Sequence, residues 1–370
     1  MHLLSAINNN VNEWHDTLNF TEEKPRLPLP YVLGGSFKLA GHELSALDMR
    51  SGASKSETFP FKSIYYSDEL TAALENVDVA ILSGSFALKA LLKQSLYIRM
   101  QKKILYFTYV MTPKNVSWKQ RIEEVAIKLL ANSARGVVVM TTEQESLARK
   151  LLGNAAPVIK LNCGIDTSFY RVQSSLSDVP EQYKCIVDEL LNYPYVVMPG
   201  DQLRCNDDVL RFVENTGIRL VRITQSGTKL LKQKILDRGL GDRIFVFEKI
   251  SYPFVRFILQ HALAYAGLVD SSWQPAGWTV ACETLASGLP MVVYEGLVSR
   301  ELQTLQIPSE LMRVVPLNDV DEFSKQMLEI LYLKETSLFT KQSMDFAAQC
   351  LDFSITAPDF VKQVEAISER

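Results

Sequence analysis

The feature that most constrains this chain is an alternation of short β-rich runs and amphipathic helical stretches, repeated twice along its 370 residues. Strands separated by a helix need a crossover before they pair, so they run parallel, in sheets covered on both faces. In the first half, strands are predicted at His2–Ala6, Leu44–Asp48, Val79–Leu82, Ile104–Thr108, Gly136–Thr141 and Val158–Leu161. Helices are expected at Tyr31–Ala40, Asp68–Glu75, Ser85–Met100, Trp118–Asn132 and Glu143–Leu152. Thr141 or Thr142 caps the last of these, with Glu145 available for the reciprocal half of a capping box.

The stretch from Arg171 to Tyr193 has no strand character and reads as an interdomain connection. A second alternation follows, with strands at Tyr195–Met198, Leu220–Thr224, Ile244–Phe247, Ala264–Val269, Met291–Val293 and Val314–Val315. Its helices are Asp207–Asn215, Lys229–Arg238, Pro253–Gln260, Thr279–Ala286 and Val320–Leu331. The expected architecture is α/β, with Rossmann-like domains over residues 1–190 and 194–350. A last segment, 351–370, contains a helix near Pro358–Glu369.

Composition narrows the partners. A net charge of −3 argues against a nucleic-acid-binding role. Five scattered cysteines without a CxxC pair fit reduced thiols and no zinc site. The opening MHLLSAINNN has no basic n-region, and no window offers the about 20 apolar residues of a membrane span. The expected location is cytoplasmic.

The segment WQPAGWTVACETLASGLPMVV, Trp273 to Val293, carries the clearest chemistry. A strand ending near Asp270 leads through a glycine-containing loop into a helix that starts at Trp278 or Thr279. Free N–H groups and the positive end of the helix dipole suit a diphosphate there. Gly277 allows close approach of a ligand to the backbone. Glu283, a turn further in, suits both hydroxyl hydrogens of a ribose.

This segment resembles the donor-binding motif of the retaining glycosyltransferases of family 4, also called group 1, which have the GT-B fold. Their motif is E-x7-E followed by A-x-G-x-P-V-V. Glu283 and Ala286–Val293 resemble its second half, while Pro275 stands where the first glutamate would be. Gln274–Pro275–Ala276–Gly277 looks like a variant of the family's E-P-F-G loop. The resemblance implies ribose binding by Glu283 and phosphate or sugar contacts from the loop, including Gln274, Ala276 and the amides of Gly277, Trp278 and Thr279. Three further segments extend it over residues 135–295. In YVVMPGDQLR, Gly200 ends a strand and Arg204 stands where the family pairs a cation with the diphosphate. A guanidinium grips two phosphate oxygens at once; the alternative is a loop cap or a pair with Asp207 or Asp208. The usual downstream lysine is absent, with Asn206–Asp207 in its region. IKLNCGIDTSFY, Ile159–Tyr170, resembles an architectural element in which Asp166 closes a turn, and Val137–Gly153 resembles the strand and helix before it.

The first 130 residues match only loosely. Gly34–Gly35–Ser36 reads either as a glycine loop on the acceptor side, with Gly35 and Ser36 as candidates, or as a helix-packing contact. No catalytic base stands out, because His2, His15 and His261 have no partner at recognisable spacing. Residues 89–135 are rich in lysine and arginine interleaved with apolar side chains. They read either as a solvated helix face or as a surface docking on anionic membrane at the inner face.

The resemblance implies two Rossmann-like domains facing across a cleft, and transfer of a sugar from a nucleotide-sugar donor to a glycan, lipid-linked or other acceptor with retention. It also implies metal-independent chemistry without a cofactor, the nucleotide-sugar being substrate. The alternative is a non-catalytic GT-B protein that binds a nucleotide-sugar or supports a partner transferase.

Overall fold

The computed structural model describes residues 2–6, 43–46, 78–83, 104–107 and 135–368, apart from 155, 162–163, 202, 226 and 334–337. The helices expected before residue 133, the Gly34–Ser36 motif and the basic stretch 89–135 lie outside them, except for strand 104–107 and Arg135. Two compact units account for the chain. The first comprises 1–21, 29–164 and 353–370; the second comprises 22–28 and 165–352.

The first unit has a six-stranded parallel sheet ordered β2-β1-β3-β4-β5-β6. Its strands are β1 (His2–Ala6), β2 (Glu43–Ala46), β3 (Val79–Ser83), β4 (Ile104–Phe107), β5 (Gly136–Val139) and β6 (Val158–Lys160). Helix α1 (Thr142–Leu152) joins the last two and packs Ala148 and Leu152 on Val137, Val139 and Val158. Its capping box differs from the expected one. Thr141 accepts from the Gln144 amide at 3.2 Å, and the Gln144 side chain accepts from the Thr141 amide at 3.2 Å. The reciprocal partner sits at the third helical position, which is Gln144. Glu145 pairs with Arg149 at 2.7 Å instead.

The second unit also has a six-stranded parallel sheet. Its strands are β7 (Tyr195–Pro199), β8 (Arg219–Thr224), β9 (Ile244–Glu248), β10 (Tyr265–Gly267), β11 (Met291–Tyr294) and β12 (Met312–Val315). Their order is β12-β11-β10-β7-β8-β9. The chain winds outward from β7 to β9, returns to β10 beside β7, and winds out the other way. This is the doubly wound Rossmann order, with its switch point between β7 and β10. One face buries Val196, Met198, Leu220 and Ala266 under α4 (Asn206–Thr216) and α9 (Val320–Leu333), which bring Leu210, Phe212, Phe323 and Met327. Each such large side chain contributes about 1.5–3 kcal/mol through burial.

The remaining helices of this unit are α2 (Thr167–Arg171), α3 (Lys184–Leu191), α5 (Lys229–Asp237), α6 (Tyr252–His261), α7 (Trp278–Ala286), α8 (Leu297–Thr304) and α10 (Leu338–Cys350). Helices α2 and α3 occupy the stretch that the sequence reads as the end of the first domain and the interdomain connection. Gln260 of α6 holds this stretch through the carbonyls of Tyr170 and Val172 and the amide of Ser174, at 2.7–2.9 Å. The buried Arg256 of α6 pairs with Asp178 at 3.1 Å and lies 4.7 Å from the Phe169 ring centroid. The two ends of the unit meet where the Ile165 amide donates to Leu351 at 2.8 Å and Thr167 bonds Asp352.

The last helix, α11 (Phe353–Ser368), belongs to the first unit and packs on β6. It starts before Pro358, the expected first residue, and carries that proline within it. Arg135 donates to the Ile367 carbonyl at 2.6 Å. Among the described residues, no helix is long and apolar enough to cross a membrane.

Candidate functional site

The site is built at the carboxyl ends of β7 and β10, where the direction of winding reverses. Gly200 ends β7 with φ 93°. Its amide donates to the Ile223 carbonyl of β8 at 2.9 Å. A methyl group on Gly200 would fall 2.1 Å from Arg204 Nη2, so the guanidinium lies directly on this glycine. Arg204 reaches back to the Pro199 carbonyl, at 3.0 Å from Nε and 2.6 Å from Nη2. The two aspartates weighed as its partners are engaged elsewhere. Asp207 pairs with Lys234 at 2.6 Å, and Asp208 accepts from Tyr294 at 2.8 Å.

The loops after β7 and β10 are stitched together. Arg204 and Val269 form an antiparallel bridge. The Cys205 amide donates to Leu268 at 3.0 Å and the Asp270 amide to Leu203 at 2.9 Å. Arg204 and the strand β10 loop are therefore one rigid piece of backbone.

Gln274, Pro275, Ala276 and Gly277 then turn the chain into α7. The Ala276 amide donates to Gln274 at 2.7 Å and the Trp278 amide to Pro275 at 3.2 Å, which closes the turn. Gly277 caps α7 in the left-handed region, φ 87°, where a side chain is strained. A Cβ there would sit 3.4 Å from the Tyr265 hydroxyl and 3.8 Å from Arg204 Nη1. Thus Gly200, Arg204, Gly277 and Tyr265 share one small volume, although 77 residues separate the two glycines. Of the amides expected to face a ligand, that of Trp278 is spent on the turn. Those of Gly277 and Thr279 donate to nothing among the described residues, as the first N–H groups of a helix do.

Glu283 faces inward from α7 and is buried. Its Oε1 accepts from the Tyr170 hydroxyl at 2.7 Å, leaving Oε2 for any further donor. Burial raises its carboxyl to about 7, and the Tyr170 bond acts in the opposite direction. Both carboxylate oxygens were expected to serve a ribose; one of them is already engaged. The stretch holding Tyr170 reads as architectural in sequence, and nothing in its local pattern signals the contact.

Two more residues of this region escaped the sequence reading. Tyr265 is buried on β10, and its hydroxyl makes no hydrogen bond among the described residues. Arg222 lies buried on β8, with Nη1 donating to Met198 at 3.0 Å and to Ile223 at 2.7 Å. His261 stacks on Phe257 at 4.2 Å and bonds its carbonyl, on a helix away from these loops. Gly35 and Ser36 are outside the described residues.

No family model and no curated protein matches the chain in sequence. Solved structures match it along nearly its whole length. A sucrose-phosphate synthase from Thermosynechococcus elongatus superposes with TM-score 0.73 at 12% identity, over 99% of this chain and 98% of that one. HepE from Anabaena, solved in complex with UDP-glucose, gives 0.69 at 13% identity over 99% and 100%. A glycosyltransferase from Rickettsia africae gives 0.67 at 11% identity over 100% and 98%. The chain therefore has the GT-B fold, with two Rossmann-like units.

Proposed function

We propose that this chain is a glycosyltransferase that moves a sugar from a nucleotide-sugar donor to a glycan, lipid-linked or other acceptor with retention of configuration. The observation that carries this reading is the convergence of Gly200, Arg204 and Gly277 at the switch point of the second sheet, with Glu283 buried on the helix that Gly277 caps. Ligands of open α/β sheets bind in the crevice outside the carboxyl ends of such strands. The fold supports the reading, since structures sharing it include one solved with UDP-glucose.

In this proposal the diphosphate lies against Arg204 and the amides of Gly277 and Thr279. A guanidinium and two backbone donors neutralise the charge that develops as the sugar–phosphate bond breaks. Glu283 accepts one ribose hydroxyl through Oε2 while Tyr170 holds its other oxygen. Gln274 and Ala276 border the sugar. The leaving diphosphate takes the acceptor's proton, so no side-chain base and no metal or other cofactor is required. We assign the acceptor to the first unit, with Gly35 and Ser36 as candidates, and the protein to the cytoplasm. Contact with anionic membrane through residues 89–135 would suit a lipid-linked acceptor.

The test is a thermal-shift panel of UDP-, GDP-, ADP- and dTDP-sugars, followed by an assay for nucleoside diphosphate release from the best binder. Stabilisation with turnover is expected. Stabilisation without turnover, with cell-extract acceptors present, would replace the transferase by a nucleotide-sugar-binding protein. No stabilisation by any sugar nucleotide would remove the donor site.

A further inference from the structure

The region around Pro199–Gly200 holds a second cation that the donor motif does not account for. Arg222 is 3% exposed on β8, two residues before that strand ends. Buried guanidinium groups are ordinarily paired with a carboxylate, because an unpaired buried charge is costly. Arg222 has no such pair among the described residues. Its Nη1 is shared between the Met198 and Ile223 carbonyls, at 3.0 and 2.7 Å. Its Nε is sealed from solvent without any acceptor. Its Nη2 makes no hydrogen bond among the described residues, and it is not sealed as Nε is.

The surroundings deepen the deficit. Ile223, which accepts from Arg222, also accepts from the Gly200 amide at 2.9 Å, so the guanidinium lies beside the turn on which Arg204 rests. Burial, with Arg204 adding its like charge, lowers Arg222 to about 10. Asp201 offsets part of this, yet its own oxygens accept from the Gln225 amide at 3.0 and 3.1 Å and from Thr224. Two arginines are thus held on one turn by backbone carbonyls, and Arg222 has no carboxylate on its guanidinium among the described residues.

We infer that Arg222 is the second cation of the donor's diphosphate site, taking up the role left open by Asn206–Asp207. This rests on the donor-site reading above. A diphosphate carries the charge that Arg222 lacks, and its oxygens offer acceptors to Arg222 and Arg204 together. Tyr265, with its hydroxyl 3.4 Å from where a Gly277 side chain would begin, completes the donor set from β10.

The experiment is calorimetric titration of the full chain and its R222M and R222K variants with UDP, GDP, ADP and dTDP, each beside its nucleoside. The expected result with R222M is a rise of about tenfold or more in the Kd of the nucleoside diphosphate that wild type binds, with the nucleoside changed by less than about twofold. The ligand-free melting temperature should hold or rise, since an apolar replacement removes an uncompensated buried charge. R222K should recover part of the lost affinity. If R222M does not fold, R222K carries the test, because an ammonium lacks the guanidinium fork and should bind the diphosphate several-fold more weakly. Wild-type binding with equal affinity in the folded variants would overturn the role of Arg222 and leave the donor site standing. Failure of wild type to bind any of the four would overturn both.

Discussion

The Tyr170 hydroxyl donates to Glu283 at 2.7 Å, joining α2 to the inward face of α7 across 113 residues of chain. The Glu283 carboxyl is therefore oriented by a residue from the opening stretch of the second unit. Both groups are buried, so the bond excludes water from one carboxylate oxygen.

The first prediction concerns stability and pH. Burial raises Glu283 to about 7 from an ordinary value of 4.5. A carboxyl that holds its proton more tightly folded than unfolded stabilises in acid. Its contribution is full below the unfolded value, shrinks as pH rises toward about 7, and is lost above. Melting curves of E283Q should lack this decline. In Y170F the bond that opposes the rise is gone, so the window should extend to higher pH. A decline unchanged in E283Q would assign it to other groups.

Nucleotide binding should follow the opposite trend. A ribose hydroxyl donates, so it favours the ionised carboxylate, and affinity should rise as pH increases through about 7. E283Q should flatten that profile and weaken nucleoside binding by about 1–3 kcal/mol. Titration with a 2′,3′-dideoxy nucleotide gives the control, which should be insensitive to the substitution. Equal losses for both nucleotides would move the ribose away from Glu283.

Gly277→Ala should destabilise the chain by about 1–2 kcal/mol, because its φ of 87° lies in the left-handed region. Gly241→Ala is the matched control, since its Cβ would meet nothing closer than 4.0 Å. Urea midpoints of the two variants report the difference. A G277A midpoint equal to that of G241A would mean the loop relaxes freely.

Thr141→Ala removes the oxygen that accepts from Gln144 and should cost about 0.5–2 kcal/mol, with Thr141→Ser nearly neutral. Thermal melts of the two variants check it; equal losses would point to the methyl group's packing.

Most strands were legible because a buried parallel strand is written locally, as in Val137–Val139 and Val196–Met198. The Gln274–Gly277 loop was legible for a similar reason: glycine, proline and a following helix sit within a few residues of one another. Arg222 was not, since an arginine inside LVRIT reads as the solvent side of an alternating strand, and only the turn at Gly200 reveals its burial. Tyr170 belongs to the same class of omission, because a contact across 113 residues leaves no mark on spacing. Helix α2 is five residues long and runs into SSLSD, where tertiary bonds from Arg256 and Gln260 outweigh weak local preference. Pro358 reads as a helix start in sequence, and the helix extends before it because Phe353 and Ala357 are buried.

Helix α11 gives the order of synthesis a consequence. The first unit is closed by a segment that follows the second unit in sequence, with Phe360, Val361 and Val364 buried and Ile367 holding Arg135. During synthesis residues 165–352 emerge before α11, so the unit that holds the candidate site is in hand while the first unit still lacks this helix. A chain truncated after Asp352 would keep every residue of the second unit and lack α11, so such a truncation would spare the candidate site and leave β6 of the first unit uncovered by this helix.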